Sequence, residues 1–453
     1  IELDSIGENF YYRGDFYKDI EQYDQALLDY SKAIDLDPND MRYLFARALV
    51  YDDLEKNDKA ISDLLRIIEL DKDEDQLFIK EYGVYNNLAV ASQNMGNYDK
   101  SIEYYTKEIE LAPDDYLAYL NRAEAYGYFF NDKEKALNDY NKAIELNPKG
   151  LIFYNKAGFL HEIGESEKAL MDINRAIELK PKSIIYLDLR FRIHYNLNEI
   201  EKTIADLLRI VELDTDLSAA KNGINNNLGF IYREIEKYDK ALEYFTKDIN
   251  LRPYQDLAYT NRALLYAYNL NENEKALIDF NKAIELNPVA NNFYLRGYFY
   301  SEIGEYNNAL LDYNKAIELD PDDMDKSEKA GVLLELGKTD EALKVYNDIT
   351  IFYKKDLDKY REGLIFNYKH ISNVYFKYIS DYSKALEYTN KAIKLYLELD
   401  ERDLVGESEA LSLRGNIYLA KGKTEKALMD FNKAVELSPE ETNFYYTLAN
   451  FYI

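Results

Sequence analysis

The chain has 453 residues, no cysteine, three histidines and a formal charge of −28, with 84 acidic against 56 basic residues. This excludes disulfides, thiolate zinc sites and cysteine nucleophiles, and it disfavours nucleic acid and anionic membrane surfaces, which attract basic patches. No run of eighteen apolar residues is present to make a membrane-spanning helix, and no Pro/Ser-rich linker divides a chain too long for one ordinary domain.

An internal echo resolves that conflict. The decapeptide DYNKAIELNP, Asp139 to Pro148, returns as DFNKAIELNP, Asp279 to Pro288. Related copies end at Pro38, Pro181, Pro321 and Pro439. Apolar residues within these segments recur at i, i+3, i+4 and i+7, as in KALEYFTKDINL from Lys240, so the unit is helical. A unit of about 34 residues fits twelve times in chain order. The copies begin near Gly7, Met41, Tyr82, Tyr116, Gly150, Ile184, Asn222, Asp256, Ala290, Asp323, Ile365 and Ser408, with a partial thirteenth from Thr442. Positions below are counted from those starts; the fourth, eighth and eleventh copies carry one extra residue before position 20.

Each position has a physical reason. Positions 8 and 20 hold small residues, such as Gly14 and Ala26, so that two antiparallel helices approach closely. Large residues at 4, 11 and 24 fill the space around that contact. Phe191 breaks the rule at position 8, which predicts a distorted sixth repeat. All eight prolines fall at position 32, past the end of the second helix, where a helix interior cannot continue. Gly96, Gly164, Gly304, Gly337 and Gly422 fall at position 15, the turn between the two helices.

On these residues the chain resembles the tetratricopeptide repeat family. The first copy carries the match in Phe10, Gly14, Tyr17, Ala26, Tyr30, Ala33 and Pro38; the family's common Trp at position 4 is absent. The resemblance implies an all-α, α-α solenoid over residues 1–453, a right-handed superhelix of about twelve helix-turn-helix repeats plus a partial one. The opening IELD matches the tail of the repeated decapeptide, so the reading is an excerpt of a longer array. No signal peptide is visible, and a cytoplasmic setting is favoured.

A second level of repetition covers four units. Repeats one, five and nine share NFYYRG, IFYNKA and NFYLRG; repeats three and seven share YDKSIEYYTKEI and YDKALEYFTKDI. The second, sixth and tenth repeats run over length. Their proline-free spacers, such as DQLFIKE from Asp75, predict longer helices at those joints.

Charge covaries inside the chain. Position 7 is Arg or Lys where position 23 is Asp: Arg13 with Asp29, Arg47 with Asp63, Arg122 with Asp139, Lys156 with Asp172, Arg190 with Asp206, Arg262 with Asp279, Arg296 with Asp312, and Arg414 with Asp430. Where position 7 is apolar, position 23 is Tyr, as in Leu88 with Tyr104, Leu228 with Tyr244 and Ile371 with Tyr388; Lys329 with Val345 is the exception. This predicts eight ion pairs between the paired helices, set against an alternative in which the arginines grip a ligand anion.

The resemblance also implies that first helices line a concave groove, through positions 2, 5, 6, 9, 12 and 13, and bind extended or helical peptides there. Position 6 is Asn87, Asn121 and Asn155 in three successive repeats, Asn227 and Asn261 further on, and His370 in the third block. An amide carries both donor and acceptor and matches a peptide unit irrespective of sequence. The row is similar to the asparagine ladder of O-linked N-acetylglucosamine transferase. Tyr11, Tyr154 and Tyr294 occupy position 5 once per four-repeat block as candidate aromatic contacts. The lysines of a two-carboxylate clamp are missing.

Nothing supports catalysis, a cofactor or a metal site. His161, His194 and His370 lie in different repeats, His194 in a packing slot and His161 at the groove edge. The expectation is a non-enzymatic scaffold whose partner is another protein or peptide segment, with self-association through the solenoid ends as a further possibility. The alternative is a substrate-recognition arm of a larger enzyme, such as a glycosyltransferase, whose catalytic domain lies outside these residues.

Overall fold

The computed structural model describes residues 2–72, 76–213, 223–321, 326–399 and 403–440. Among them the secondary structure is entirely helical, with no strand. The chain divides into two compact units, residues 1–224 and 225–453, each described by itself. Both are stacks of antiparallel helix pairs, so the chain is an all-α helical repeat protein.

In the first unit the first helices are Glu2–Asp19, Met41–Asp53, Val84–Asn94, Tyr116–Tyr128, Gly150–Glu162 and Ile184–Asn196. Their partners are Tyr23–Leu36, Asn57–Leu70, Tyr98–Leu111, Lys133–Leu146, Ser166–Leu179 and Ile200–Leu213. The second unit opens with Ile224–Glu234 and Tyr238–Leu251 and repeats the scheme to Leu404–Ala420 and Thr424–Leu437. The partial thirteenth repeat lies outside the described residues. All eight prolines sit outside helices.

Close approach is built at positions 8 and 24. A Cβ added to Gly14 would lie 2.7 Å from the Tyr30 ring, and one on Gly229 2.5 Å from Phe245, so an alanine at either position would require the ring to shift. Ala26, Tyr30 and Ala33 are fully buried, as are Ala136, Tyr140 and Ala143 three repeats later. The sixth repeat is not distorted as expected. Its helices have the usual 13 and 14 residues, and Arg190 still meets Asp206 at 2.6 Å. The residue at position 24 is the smaller Leu207, which makes room for a repeat whose Phe191 stays half-buried.

The turn at position 15 is left-handed in every one of the twelve repeats. Five carry glycine, with φ from 70° at Gly422 to 83° at Gly164. The other seven place Glu21, Glu55, Asn131, Asn198, Glu236, Asn271 and Ser380 in the same conformation, φ 51° to 60°.

The expected longer helices are corrected in part. After the second repeat the helix ends at Leu70, and the spacer forms a separate six-residue helix, Leu77–Tyr82. Gly83, at φ 59°, breaks it from Val84–Asn94, and Asp71 accepts the Ile79 amide at 3.0 Å. After the tenth repeat the first helix does lengthen, to Leu357–Asn373, with a kink at Tyr360. It runs into a π-helical turn, Val374–Ile379. The spacer after the sixth repeat lies outside the described residues.

Candidate functional site

All eight expected ion pairs form. In seven, the arginine Nε and Nη2 hold both oxygens of the aspartate: Arg122 at 2.7 and 2.9 Å from Asp139, Arg296 at 2.7 and 2.7 Å from Asp312. Lys156 reaches Asp172 at 3.0 Å. The aspartates are buried or nearly so, and the bidentate fork satisfies a carboxylate that burial would otherwise penalise. Lys329, which has Val345 rather than an aspartate at position 23 of its repeat, has its pKa pushed down by burial.

The third arginine nitrogen does something the sequence reading missed. Nη1 donates across the repeat boundary to position 25 of the preceding second helix. Arg47 reaches Ser31, Arg122 reaches Thr106 and Arg262 reaches Thr246, each at 3.1 Å; Arg190 reaches Asn174 at 2.9 Å and Arg414 reaches Asn390 at 2.8 Å. Where position 7 is Leu88 or Leu228, the preceding position 25 is Leu65 or Leu208. The third apolar case, Ile371, is preceded by Asn347, so the covariation holds in two of the three and is legible in the sequence. The arginines are thus committed to the scaffold.

The asparagines all lie on first helices, half-buried. Asn121 donates to Asn86 at 2.9 Å, and Asn261 donates to Asn226 at 2.9 Å, the same rung in each compact unit. Asn155 donates to Glu124 at 2.7 Å. Asn87 instead turns back to the Gly83 carbonyl at 2.9 Å. Asn121, Asn155 and Asn261 therefore each spend one N–H on the neighbouring repeat.

The position-5 tyrosines are packing residues as much as groove residues. Tyr11 meets Tyr30 and Tyr43, with ring centroids 6.0 and 5.2 Å apart, and burial pushes its pKa up to about 12. Tyr294 meets Tyr313 at 5.6 Å, and Tyr154 stacks on Tyr186 at 5.3 Å. His370 lies flat against Tyr346 and edge-on to Phe366. His194 is buried and bonded to Glu199 at 2.5 Å, consistent with its packing slot.

Tyr154, Asn155 and His161 come together in one cavity of about 520 Å³ within the first compact unit. It spans three consecutive first helices, Tyr116–Tyr128, Gly150–Glu162 and Ile184–Asn196. Its other walls include Glu124, Tyr128, Glu162 and Arg192, all at positions 9 or 13. Burial raises the Glu124 pKa, opposed by the Asn155 amide. Burial, then Glu162, pushes Tyr128 up to about 12. Burial and then Arg192 lower His161. The sequence reading placed positions 9 and 13 on the groove but named no residue at either of them as a candidate. Asn87 lies in a separate, much smaller pocket, while Asn227, Asn261, Tyr294 and His370 belong to the second compact unit. Among the described residues no cluster of His, Asp and Glu is arranged to hold a metal ion, and no helix is long and apolar enough to cross a membrane.

Repeated antiparallel helix pairs with small residues at their crossings define a helical repeat protein. Family models described as tetratricopeptide repeat match residues 42–74, 82–115, 116–149, 152–183, 223–255, 257–289, 290–323 and 408–441, and one described as TPR repeat matches 14–55. The chain belongs to the tetratricopeptide repeat family.

A UDP-N-acetylglucosamine–peptide N-acetylglucosaminyltransferase of Giardia intestinalis is 51% identical over 62 residues. That match covers 14% of this chain, which spans 4% of the length of the relative. A tetratricopeptide repeat protein from Parabacteroides merdae is similar at 22% identity, over 55% of this chain and 96% of its own, with a TM-score of 0.41. A structure of the APC/C hetero-tetramer Cut9-Hcn1 is similar at 15% identity, over 98% of this chain and 96% of its own, with a TM-score of 0.38.

Proposed function

We propose that this chain is a non-catalytic protein-interaction scaffold that holds a peptide segment of another protein against its first helices. The cavity shared by Tyr154, Asn155 and Glu124 carries the reading: three successive repeats supply one concave site with amide, aromatic and carboxylate groups. The asparagines of position 6 supply further polar contacts along the same faces, and many weak contacts on a pre-ordered surface add up without large ordering cost on the scaffold side.

Selection of a random dodecapeptide library on the intact chain tests this. Peptides that bind the wild type and bind less tightly when Asn87, Asn121 and Asn155 are all changed to Ala are the expected result. Selected peptides indifferent to the triple change would remove the asparagines from the site. Failure to select any peptide would sink the scaffold reading itself.

A second reading rests on the short match to the Giardia transferase. On it, the chain is the substrate-recognition arm of a larger enzyme. The translated sequence of the intact gene decides: a glycosyltransferase domain joined to these repeats favours the arm, and its absence removes it.

A further inference from the structure

We propose that the cavity of the fourth to sixth repeats takes the basic side chain of a bound peptide, and that an apolar rail beside it takes an aliphatic or aromatic side chain about three residues away. This deepens the scaffold reading and rests on it.

The cavity has the chemistry of a cation site. Two carboxylates, Glu124 and Glu162, and two phenol rings, Tyr128 and Tyr154, face it. Glu124 is half-buried, and among the described residues the one side-chain hydrogen bond it receives comes from the neutral Asn155. A carboxylate so placed gains most from an incoming ammonium or guanidinium, and electron-rich ring faces add cation–π attraction. The cation already present does not fill that role. Arg192 is 61% exposed, and its guanidinium is held by Asp188 on its own helix at 2.8 Å. With that pair neutralised, the walls are left with negative charge, in keeping with a chain of net charge −28.

The room for the side chain comes from Gly158, at position 9 of the middle helix. A Cβ added there would meet nothing nearer than Leu189, 4.0 Å away. Glycine costs a helix interior about 1 kcal/mol against alanine, and neither a turn nor a close helix crossing requires it here. The open volume is its evident effect.

The rail lies on the same helices. Leu117, Leu151 and Ile185 occupy position 2 of three consecutive repeats and are 42%, 53% and 62% exposed. Positions 2, 6, 9 and 13 share one helical face, so the rail and the cavity open to the same side. Seven residues of helix separate position 2 from position 9, a distance of about 10 Å. An extended peptide covers that in about three residues. The favoured ligand is thus an apolar residue followed or preceded, about three positions away, by Lys or Arg.

The test measures the peptides selected on the intact chain, by fluorescence anisotropy, against wild type, the Glu124→Gln/Glu162→Gln double variant and Gly158→Leu. The leucine favours the helix, so this variant closes the cavity without threatening the fold. Selected peptides carrying the apolar–basic pair, with affinity falling about tenfold or more in both variants and with added salt, are the expected result. Peptides without Lys or Arg, or peptides that bind the variants as they bind wild type, would overturn the inference and leave the scaffold reading standing. An empty selection would overturn both.

Discussion

Arg122 reaches across a repeat boundary to Thr106, its Nη1 donating to the threonine Oγ1 at 3.1 Å, while its other nitrogens hold Asp139 in its own repeat. The same triad recurs in the second compact unit as Arg262 with Thr246 and Asp279, at matching distances. One side chain therefore fixes both the pairing of helices within a repeat and the stacking of that repeat on the last.

Arg122→Leu alone leaves the Asp139 carboxylate shielded and unpaired, and is expected to destabilise by about 3 kcal/mol. The chain itself supplies the remedy, because Leu88 and Leu228 sit with Tyr at position 23 and Leu at the preceding position 25. Adding Asp139→Tyr and Thr106→Leu should recover more than half of the loss in thermal and urea unfolding. A triple variant no more stable than the single one would mean that the apolar triad is not an equivalent joint.

The turn at position 15 gives a stabilising change. Glu55 holds φ 57°, a conformation that glycine adopts without steric cost. Glu55→Gly should raise stability by about 0.5–1 kcal/mol despite the added freedom of the unfolded chain, since the relieved strain is larger. Gly164→Ala, at φ 83°, should lower it by a similar amount or more. Calorimetry of both variants checks the opposite signs.

Most of the scaffold was legible in the sequence because a repeat states the same constraint many times over. Prolines at position 32, small residues at 8 and 20, and the Arg–Asp covariation each rest on several independent copies, and the structure agrees with all three. The misreadings fell where the chain departs from its own pattern. The spacer from Asp75 has no proline, yet Gly83 ends its helix through a left-handed turn that a count of prolines overlooks. Phe191 breaks the small-residue rule, but the fit depends on the sum of positions 8 and 24, and Leu207 compensates. The site was legible only as a face. Which residues meet in a cavity follows from where Gly158 leaves space, and glycine at position 9 in only the fifth and tenth of twelve copies, Gly158 and Gly331, carries no periodic signal.

Buried phenols at position 24 separate two energetic cases. Tyr30 donates to Asp15 at 2.6 Å, whereas the Tyr140 hydroxyl is buried with no hydrogen-bond partner among the described residues. Its counterpart in the next four-repeat block is Phe280, fully packed without a hydroxyl. Tyr140→Phe should therefore be neutral or stabilising by up to about 1 kcal/mol, and Tyr30→Phe destabilising by about 1–2 kcal/mol. Equal losses in both variants would show that Tyr140 has a partner in solution.

Glu108 gives the chain a pH dependence with an unusual sign. Its side chain is almost fully buried and accepts the Asn86 amide at 3.0 Å, capping the helix that Gly83 begins. Burial, reinforced by Asp115 and opposed by the Asn86 amide, pushes its pKa from the ordinary 4.5 up to about 7. The folded state thus binds the proton more tightly than the unfolded one. Its contribution is complete below pH 4.5 and is lost as pH rises through 7, the reverse of a salt-bridged carboxylate. At full extent the effect is on the order of 3 kcal/mol. Glu108→Gln keeps an acceptor oxygen and has no proton to lose. The melting temperature of the variant should therefore exceed that of wild type by a margin that opens between pH 5 and 7 and is constant above about pH 8. A margin for Glu108→Gln that is flat across that range would place the folded-state pKa near its ordinary value.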